Sequence, residues 1–306
     1  MIGYFARQAL QARVGNRGQA TVLFLVVAGT LLALVFASIH IANLSVARVT
    51  CTNAVDAIAL NAATWEARGL NMIAALNDGV LQCIRVIRWI SVIWAALAVA
   101  AAFGVGMPVF VAYTRYARRL ISGYWDTAHQ LVAWSEKIRE ATPYIVLGDT
   151  AALSSKRNVS GVLFPLNPAG PHDGRNTLEL HLEPGPPMYL VEAVAPISGA
   201  LNRLKRNRIL KGAVKTVVSL LEAVLKALIG NAKGPIRMLV PEKDFKERQH
   251  VRFAGSQAVP DLPIPFLPLG GKKRVFTDSQ AEPYGGGSAE MTWKSRVTEG
   301  GNDDAK

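Results

Sequence analysis

Proline is absent from the first third of this 306-residue chain, and no other feature constrains its fold as strongly. All sixteen prolines lie between Pro108 and Pro283. An interior proline removes a backbone hydrogen-bond donor and clashes with the preceding turn. The first 107 residues, which are rich in alanine and aliphatic side chains, can therefore form a long uninterrupted helix. The proline clusters further along are typical of loops, turns and short strands, so we expect a mixed, irregular second part.

The first part contains a segment that is long and apolar enough to cross a membrane. No formally charged residue occurs from 18 to 47, and residues 20–42 match the ~20 apolar residues that a spanning helix needs. Three arginines and no acid precede this segment, so the positive-inside tendency makes residues 1–19 a basic cytoplasmic tail. A cleaved signal peptide is the alternative, but its apolar region is usually only roughly 7–15 residues long. We therefore predict a retained transmembrane helix over residues 20–42.

Residues 43–88 extend the helical pattern beyond the predicted span. They lack proline, are rich in alanine and repeat apolar residues at roughly helical spacing. A continuous helix over residues 20–77 would be roughly 85 Å long, at about 1.5 Å per residue. We therefore predict an anchor that continues into an extended alanine-rich helix.

The residues around the span form an ordered set of motifs. Arg17-Gly18-Gln19-Ala20 precedes the span, residues 53–60 read NAVDAIAL, and residues 65–74 read WEARGLNMIA. Near the other end, residues 280–284 read QAEPY and residues 293–296 read WKSR. A basic tail, RGQA, an apolar span and NAxDAxAL in this order resemble the TadE/TadG-like proteins of Tad (Flp, type IVc) pilus assembly systems.

This resemblance covers residues 15–77 well and residues 278–297 weakly. It implies a membrane-anchored structural or assembly component, of the minor pseudopilin-like TadG type, rather than an enzyme. The implied place is the bacterial inner membrane, and the implied partners are its lipid and other pilus-assembly or pilin-like subunits. The motif residues that the resemblance singles out are Asn53, Asp56, Ala57, Arg68 and Asn71.

One departure from the family pattern concerns processing. Pilins that a prepilin peptidase cuts carry glutamate five positions after the cleavage-site glycine, whereas Leu23 stands there if Gly18 is that glycine. An intramembrane carboxylate is costly and is kept for a partner, so its absence favours an uncut, TadG-like anchor. We expect this anchor to pack through mostly small residues that permit close approach: Gly18, Gln19, Ala20, Ala28, Gly29, Ala33 and Ala37.

A second charge-free run covers residues 89–114, and its length alone predicts a second hydrophobic helix that crosses the membrane. Arginines flank both ends of the run, and aromatic residues lie near them, as at membrane interfaces. A crossing would return the C-terminal region to the cytoplasm, whereas the family resemblance implies a periplasmic C-terminal region. Gly104, Gly106 and Pro108 weaken a straight helix and leave a re-entrant or surface-lying segment open. Between these, we favour the extracytoplasmic C-terminal region.

The remaining region, residues 115–297, is predicted to be small, irregular and of α+β type. A helix is expected over residues 120–147, ending near Pro143. Residues 199–230 show the clearest amphipathic pattern, which fits either a helix on anionic lipid or a core helix with one solvated face. The basic surface at its start comprises Arg203, Lys205, Arg206, Arg208 and Lys211. Residues 298–306 are predicted to be a disordered tail.

Sequence motifs for catalysis are missing. The chain has no phosphate-binding G-x-x-x-x-G-K-[ST] loop, no H-E-x-x-H and no G-x-S-x-G. Two cysteines rule out a four-cysteine metal site, and Cys51 and Cys83 fit either one disulfide in an oxidising compartment or two buried thiols. The formal net charge of +12 suits an anionic membrane surface or nucleic acid, but no nucleic-acid-reading motif accompanies it.

We therefore predict a mainly α membrane protein. It has a long N-terminal transmembrane helix that extends into a pilin-like helix, a second hydrophobic helix, and a small irregular α+β C-terminal region. We expect no catalysis, no cofactor, no metal, no nucleic-acid partner and no small-molecule substrate. Two alternatives stay open: a membrane-tethered enzyme with its active site in residues 150–297, and a two-span secretion or transport subunit with a basic C-terminal domain.

Overall fold

In the described part of the chain, the computed structural model contains two long helices and six strands. It describes the chain in these parts: residues 2–165, 178–190, 192–194, 212, 215, 216, 219, 223, 234–243, 245, 249–259 and 273–298, with side chains from residue 20 onward. The helices are α1 (Ile2–Ala102) and α2 (Met107–Lys156). The strands are β1 (Ser160–Phe164), β2 (Leu182–Pro184), β3 (Leu239–Pro241), β4 (Val251–Ala258), β5 (Arg274–Tyr284) and β6 (Lys294–Thr298).

The expected architecture is confirmed at its coarse level. The chain is mainly helical, it carries one long apolar helix at the N-terminus, and its C-terminal region contains strands. The helix α1 runs through 101 residues without a break and ends before the first proline of the sequence.

The second apolar run does not form a helix of its own. Residues 89–102 are the end of α1 and residues 107–114 are the start of α2, and a tight turn joins them. Gly104 and Gly106 have φ angles of 80° and 77°, a left-handed backbone that side-chain-bearing residues avoid. The chain therefore reverses within the run, because these glycines break the helix and Pro108 suits the first turn of the next one.

The two helices pack against each other as an antiparallel hairpin. Aromatic side chains of the two helices meet near the turn, where the ring centroids of Trp94 and Phe110 lie 5.5 Å apart. The indole Nε1 of Trp94 also donates a hydrogen bond to Thr114 Oγ1 at 3.0 Å. Further down, a Cβ on Gly69 would lie 2.6 Å from Thr142 Oγ1, so this position admits only glycine at the present spacing. The core of the hairpin is formed by Val80, Ile84, Ile87, Ile90, Ala117, Ile121, Trp125 and Ala128.

Pro143 does not end α2, which continues to Lys156. The expectation of a helix ending near this proline was wrong. Thr142, Pro143 and Val146 are all buried, and this packing offsets the hydrogen bond that an interior proline removes.

A four-stranded antiparallel sheet in the order β1-β4-β5-β6 packs against α1. Val251 and Phe253 of β4 and Ala281 of β5 share a core with the α1 residues between Cys51 and Ala63. A Cβ on Gly255 would lie 2.8 Å from Val55 Cγ2, so glycine allows the close approach of strand and helix.

A smaller antiparallel pair, β2 with β3, covers the next turns of the same helix. Leu182 and Leu239 from this pair pack with Leu70, Ile73 and other residues of α1. The described C-terminal region thus covers α1 from about residue 51 onward and leaves the apolar turns over residues 20–39 bare.

Candidate functional site

The N-terminal half of α1 exposes a continuous apolar surface. The exposed fractions of Leu23 and Phe24 are 66% and 73%, and Leu34 is exposed to 64%. Within the part of the chain that the structure describes, only the helical segment Ala20–Ala102 is long and apolar enough to cross a membrane. Its most apolar window has a mean hydropathy of 2.7 and is not buried at all. These properties are consistent with a membrane anchor, and a signal sequence shares them.

The small residues expected to mediate helix packing lie on this bare segment. A Cβ on Gly29 would meet no atom within 4 Å. Ala20, Ala33 and Ala37 are exposed and Ala28 is half-buried. Gly18 and Gln19 belong to α1, but their side chains lie outside the described part of the structure. The described small residues are therefore accessible to another helix.

The motif residues of α1 divide into exposed and contacting groups. Asn53 and Arg68 are exposed, whereas Asp56, Ala57 and Asn71 are half-buried. The Arg68 guanidinium lies 4.6 Å from the ring centroid of Trp65, close enough for a cation–π contact.

Asn71 joins the two ends of the sequence. Its Nδ2 donates to the carbonyl oxygen of Trp293 at 3.0 Å, and the Trp293 amide donates to Asn71 Oδ1 at the same distance of 3.0 Å. One side-chain amide thus satisfies both backbone groups of one residue. The structure thereby brings together WEARGLNMIA and WKSR, the motifs from the two ends of the chain that carry the family resemblance.

Asn77 makes a second amide contact of this kind, one that the sequence did not reveal. It is 1% exposed, and its Nδ2 donates to the carbonyl oxygens of Leu239 at 2.8 Å and Ser288 at 2.6 Å. Residues 61–77 of α1 hold the C-terminal segments, and we call this region the helix–sheet joint. A polar residue spaced four and seven positions from apolar ones is the signal that could have identified Asn77, since Leu70 and Ile73 share its buried face.

Glu66 is the one titratable side chain of α1 that is fully enclosed at the joint, among the described residues. It is 3% exposed and is hydrogen-bonded to the Gln249 side chain, and its Oε2 has no hydrogen-bond partner among the described residues. Burial raises the pKa of the Glu66 carboxyl to about 8, because a charged carboxylate loses its hydration there. Gln249 is fixed in turn, since its Oε1 accepts the His181 amide at 2.9 Å.

A carboxylate also links α1 to α2. Asp149 Oδ2 accepts hydrogen bonds from Asn61 Nδ2 and from Trp65 Nε1, the latter at 2.8 Å. These two donors, followed by the positive charge of Arg68, lower the pKa of Asp149. The contact is therefore an ionised one that holds the helices in register.

The second C-terminal motif stabilises the sheet. Glu282, from QAEPY, receives Arg296 Nε at 2.8 Å on one oxygen and lies 3.0 Å from His250 Nδ1 through the other. The three residues stand on three neighbouring strands or their extensions. The arrangement is a row of polar side chains across neighbouring strands, with an ion pair between Arg296 and Glu282, and its geometry is that of a structural contact.

The described residues supply no metal or redox centre. No group of three or more histidines, cysteines or acids that could hold a metal occurs among them. Cys51 and Cys83 are buried free thiols. They lie 32 residues apart on one helix, a separation of ~48 Å at about 1.5 Å per residue, so they do not pair within the chain. Arg203, Lys205, Arg206, Arg208 and Lys211 all lie outside the described residues.

Comparison with known proteins gives no assignment. No protein-family model, curated protein or solved structure matches this chain. Function must therefore be inferred from the bare apolar helix, the joint and the exposed surface.

Proposed function

We propose that this protein is a membrane-anchored structural component of a Tad/Flp-type pilus or a related secretion machine, and that it acts by helix packing and partner binding. The observation that carries the proposal is the division of α1 into two halves. Its first half exposes apolar side chains all round, and its second half is the spine of the folded body. This first half is apolar on every side, and no described part of the chain covers it. Such a helix needs lipid or other helices around it.

The placement of the body supports a single crossing of the bacterial inner membrane. The described strands pack on α1 just after the predicted span, and Lys273 Nζ lies 3.1 Å from His40 Nε2 near the end of that span. Strands packed on this part of α1 lie on the side of the bilayer where α1 emerges after the span. With the arginine-bearing tail, residues 1–19, in the cytoplasm, the body is extracytoplasmic.

The partners that we propose for the protein are inner-membrane lipid and the transmembrane helices of other pilin-like subunits. Gly29, Ala33 and Ala37 share one face of α1, and their small side chains let a second helix approach closely. No reaction is assigned to the chain. The amide and carboxylate contacts of the joint hold the body on its anchor and require no substrate.

Site-specific photocrosslinking in the membrane tests this proposal. A photoreactive residue at Ala33 or Ala37 is expected to form an adduct with a protein that itself begins with a pilin-type apolar helix, identified by mass spectrometry. Leu31 and Val35, exposed on the opposite face of the same turns, are the matched controls and should react with lipid. Equal protein adducts from both faces, or none from Ala33 and Ala37, would contradict the proposal.

A further inference from the structure

The far end of the α1–α2 hairpin exposes a second apolar surface. We call residues 89–114 the hairpin tip. Its interior is packed, but its outside carries large apolar side chains, with Phe103 exposed to 56% and Trp89 and Val105 each to 68%. The run from 89 to 114 contains no charged residue. A contiguous exposed apolar patch of this kind is typical of a surface that contacts protein or lipid.

A collar of positive charge surrounds the base of the tip. Arg85 and Arg88 precede it on α1, and Arg115, Arg118 and Arg119 follow it on α2; all five are exposed. Residues 79–125 contain these five arginines and no acid. An exposed apolar end, aromatic residues such as Trp89 and Tyr116 beside it, and cations next to these reproduce the order of layers in an anionic lipid leaflet.

The dimensions of the tip suit insertion without crossing. The α1 arm, residues 89–102, has 14 residues and the α2 arm, residues 107–115, has nine, or ~21 Å and ~14 Å at about 1.5 Å per residue. A bilayer's hydrocarbon core is about 30 Å thick. The tip therefore reaches beyond the headgroups of one leaflet and stops short of the opposite one.

The tip is also too far from the anchor to enter the same bilayer. From residue 42, at the end of the predicted span, to the turn at Gly104 the helix rises ~90 Å. Long helices bend gently, with radii of ~60–100 Å. At the sharpest of these radii, a helix that leaves the bilayer upright still carries its far end ~60 Å from the surface.

We infer that the hairpin tip is a second lipid-binding site, which inserts into one leaflet of an anionic membrane surface facing the one that holds the anchor. The inference goes beyond the proposed pilus role and needs from it only that residues 20–42 are anchored in a bilayer. The protein then bridges two lipid surfaces through one continuous helix.

Vesicle recruitment tests this inference with the full-length chain. The protein is anchored in nanodiscs of phosphatidylcholine, mixed with phosphatidylglycerol-containing vesicles, and separated by flotation. Discs carrying the unsubstituted protein should float with these vesicles and not with vesicles of phosphatidylcholine alone. The double substitution Phe103→Asp and Val105→Asp should lower recruitment at least about tenfold, because charge at the tip opposes insertion.

Phe276→Asp is the matched control. Phe276 is exposed to 76% on the sheet, away from the tip, and its replacement should leave recruitment unchanged. Unaltered flotation of the tip double variant would overturn the inference, as would absence of flotation for the unsubstituted protein. Loss of the protein from the nanodiscs themselves would instead contradict the anchor, so the two failures are distinguishable.

A polarity-sensitive fluorophore at Val105→Cys separates the two-surface arrangement from insertion into a single bilayer. Its emission should shift to the blue only after the anionic vesicles are added, and raised salt should reverse the shift because the arginine collar is screened. A blue shift in the nanodisc alone would show the tip in the anchoring bilayer and would overturn the inference. The unsubstituted protein, whose Cys51 and Cys83 are buried, gives the background.

Discussion

Glu66 makes the stability of this protein depend on pH. The pKa of its carboxyl is raised by burial from an ordinary 4.5 to about 8 in the folded protein. Between these values the folded state keeps a proton that the unfolded state has released. The free energy of unfolding therefore falls as the pH rises from about 4.5 to about 8, by up to about 1.4 kcal/mol per pH unit. Below and above that window the contribution is constant.

The substitution Glu66→Gln should remove this dependence, because an amide fills the same space without titrating. We expect the variant to melt at a temperature that varies less with pH than that of the unsubstituted protein, and to be the more stable of the two near pH 8. Circular dichroism in detergent at a series of pH values measures this. Glu136→Gln, at an exposed position of α2, is the control and should keep the original slope. An unchanged slope in Glu66→Gln would contradict the assignment.

Asn71 and Asn53 form a natural comparison, since both are motif residues on the same helix. Asn71→Ala removes both hydrogen bonds to the Trp293 backbone, and we expect a loss of about 1–3 kcal/mol in the free energy of unfolding. Asn53→Ala changes an exposed residue and should cost less than about 0.5 kcal/mol. Chemical unfolding followed by tryptophan fluorescence measures both. Equal losses would mean that Asn71 does not hold the C-terminal segment.

At the scale of elements, the turn between α1 and α2 can be tested by the sign of a substitution. Gly104→Ala and Gly106→Ala would meet no atom within 4 Å, so their effect comes from the backbone alone. At φ angles of 80° and 77°, alanine should destabilise the protein by about 1–2 kcal/mol at each position. In one straight helix over residues 89–114 the same changes would stabilise it.

Gly123→Ala is the internal standard for this measurement. Gly123 lies inside α2, and a Cβ there also meets open space. Alanine should stabilise that position by up to about 1 kcal/mol. Thermal unfolding of the three variants therefore should give opposite signs for the turn and for the helix. Stabilisation at all three positions would contradict the hairpin.

Local patterns in the sequence predict the elements that depend on local physics. The absence of proline before Pro108 indicated the long helix, and α1 ends six residues before that proline, at Ala102. The turn at Gly104 and Gly106 was visible as a weakness in the second run, but the length of the run pointed to a crossing helix. The length of an apolar run shows only that it could span a membrane as a straight helix. The two glycines allow the left-handed backbone at which this run reverses.

The joint could not be predicted in the same way. Glu66 and Asn77 lie in an alanine-rich helix where isolated polar residues are typical of a solvated face. They are buried because β-strands more than a hundred residues later pack over them. The spacing of Asn77 from Leu70 and Ile73 marks a face of the helix, but the sequence does not show what covers that face. The motif resemblance pointed to Asn71, but its contact with Trp293 emerges only from the fold. The pilus role, the partners and the membrane side remain predictions.

At the scale of the whole molecule, one helix connects two exposed apolar regions with a folded body between them. The body is held by side-chain amides and carboxylates of α1, and it covers the helix from about residue 51 onward. The net charge of +12 suits a chain that contacts anionic surfaces. In the proposed role, the length of α1 sets the distance between whatever its two ends bind.

In the proposed topology, one membrane crossing near the N-terminus carries a body that lies wholly outside the cytoplasm. The most direct test is a pair of full-length fusions, each with a reporter that folds only outside the cytoplasm, one at Met1 and one after Lys306. We expect a membrane-bound protein that resists alkaline washing, with activity from the C-terminal fusion alone. A silent C-terminal fusion, or activity from the fusion at Met1, would contradict this arrangement.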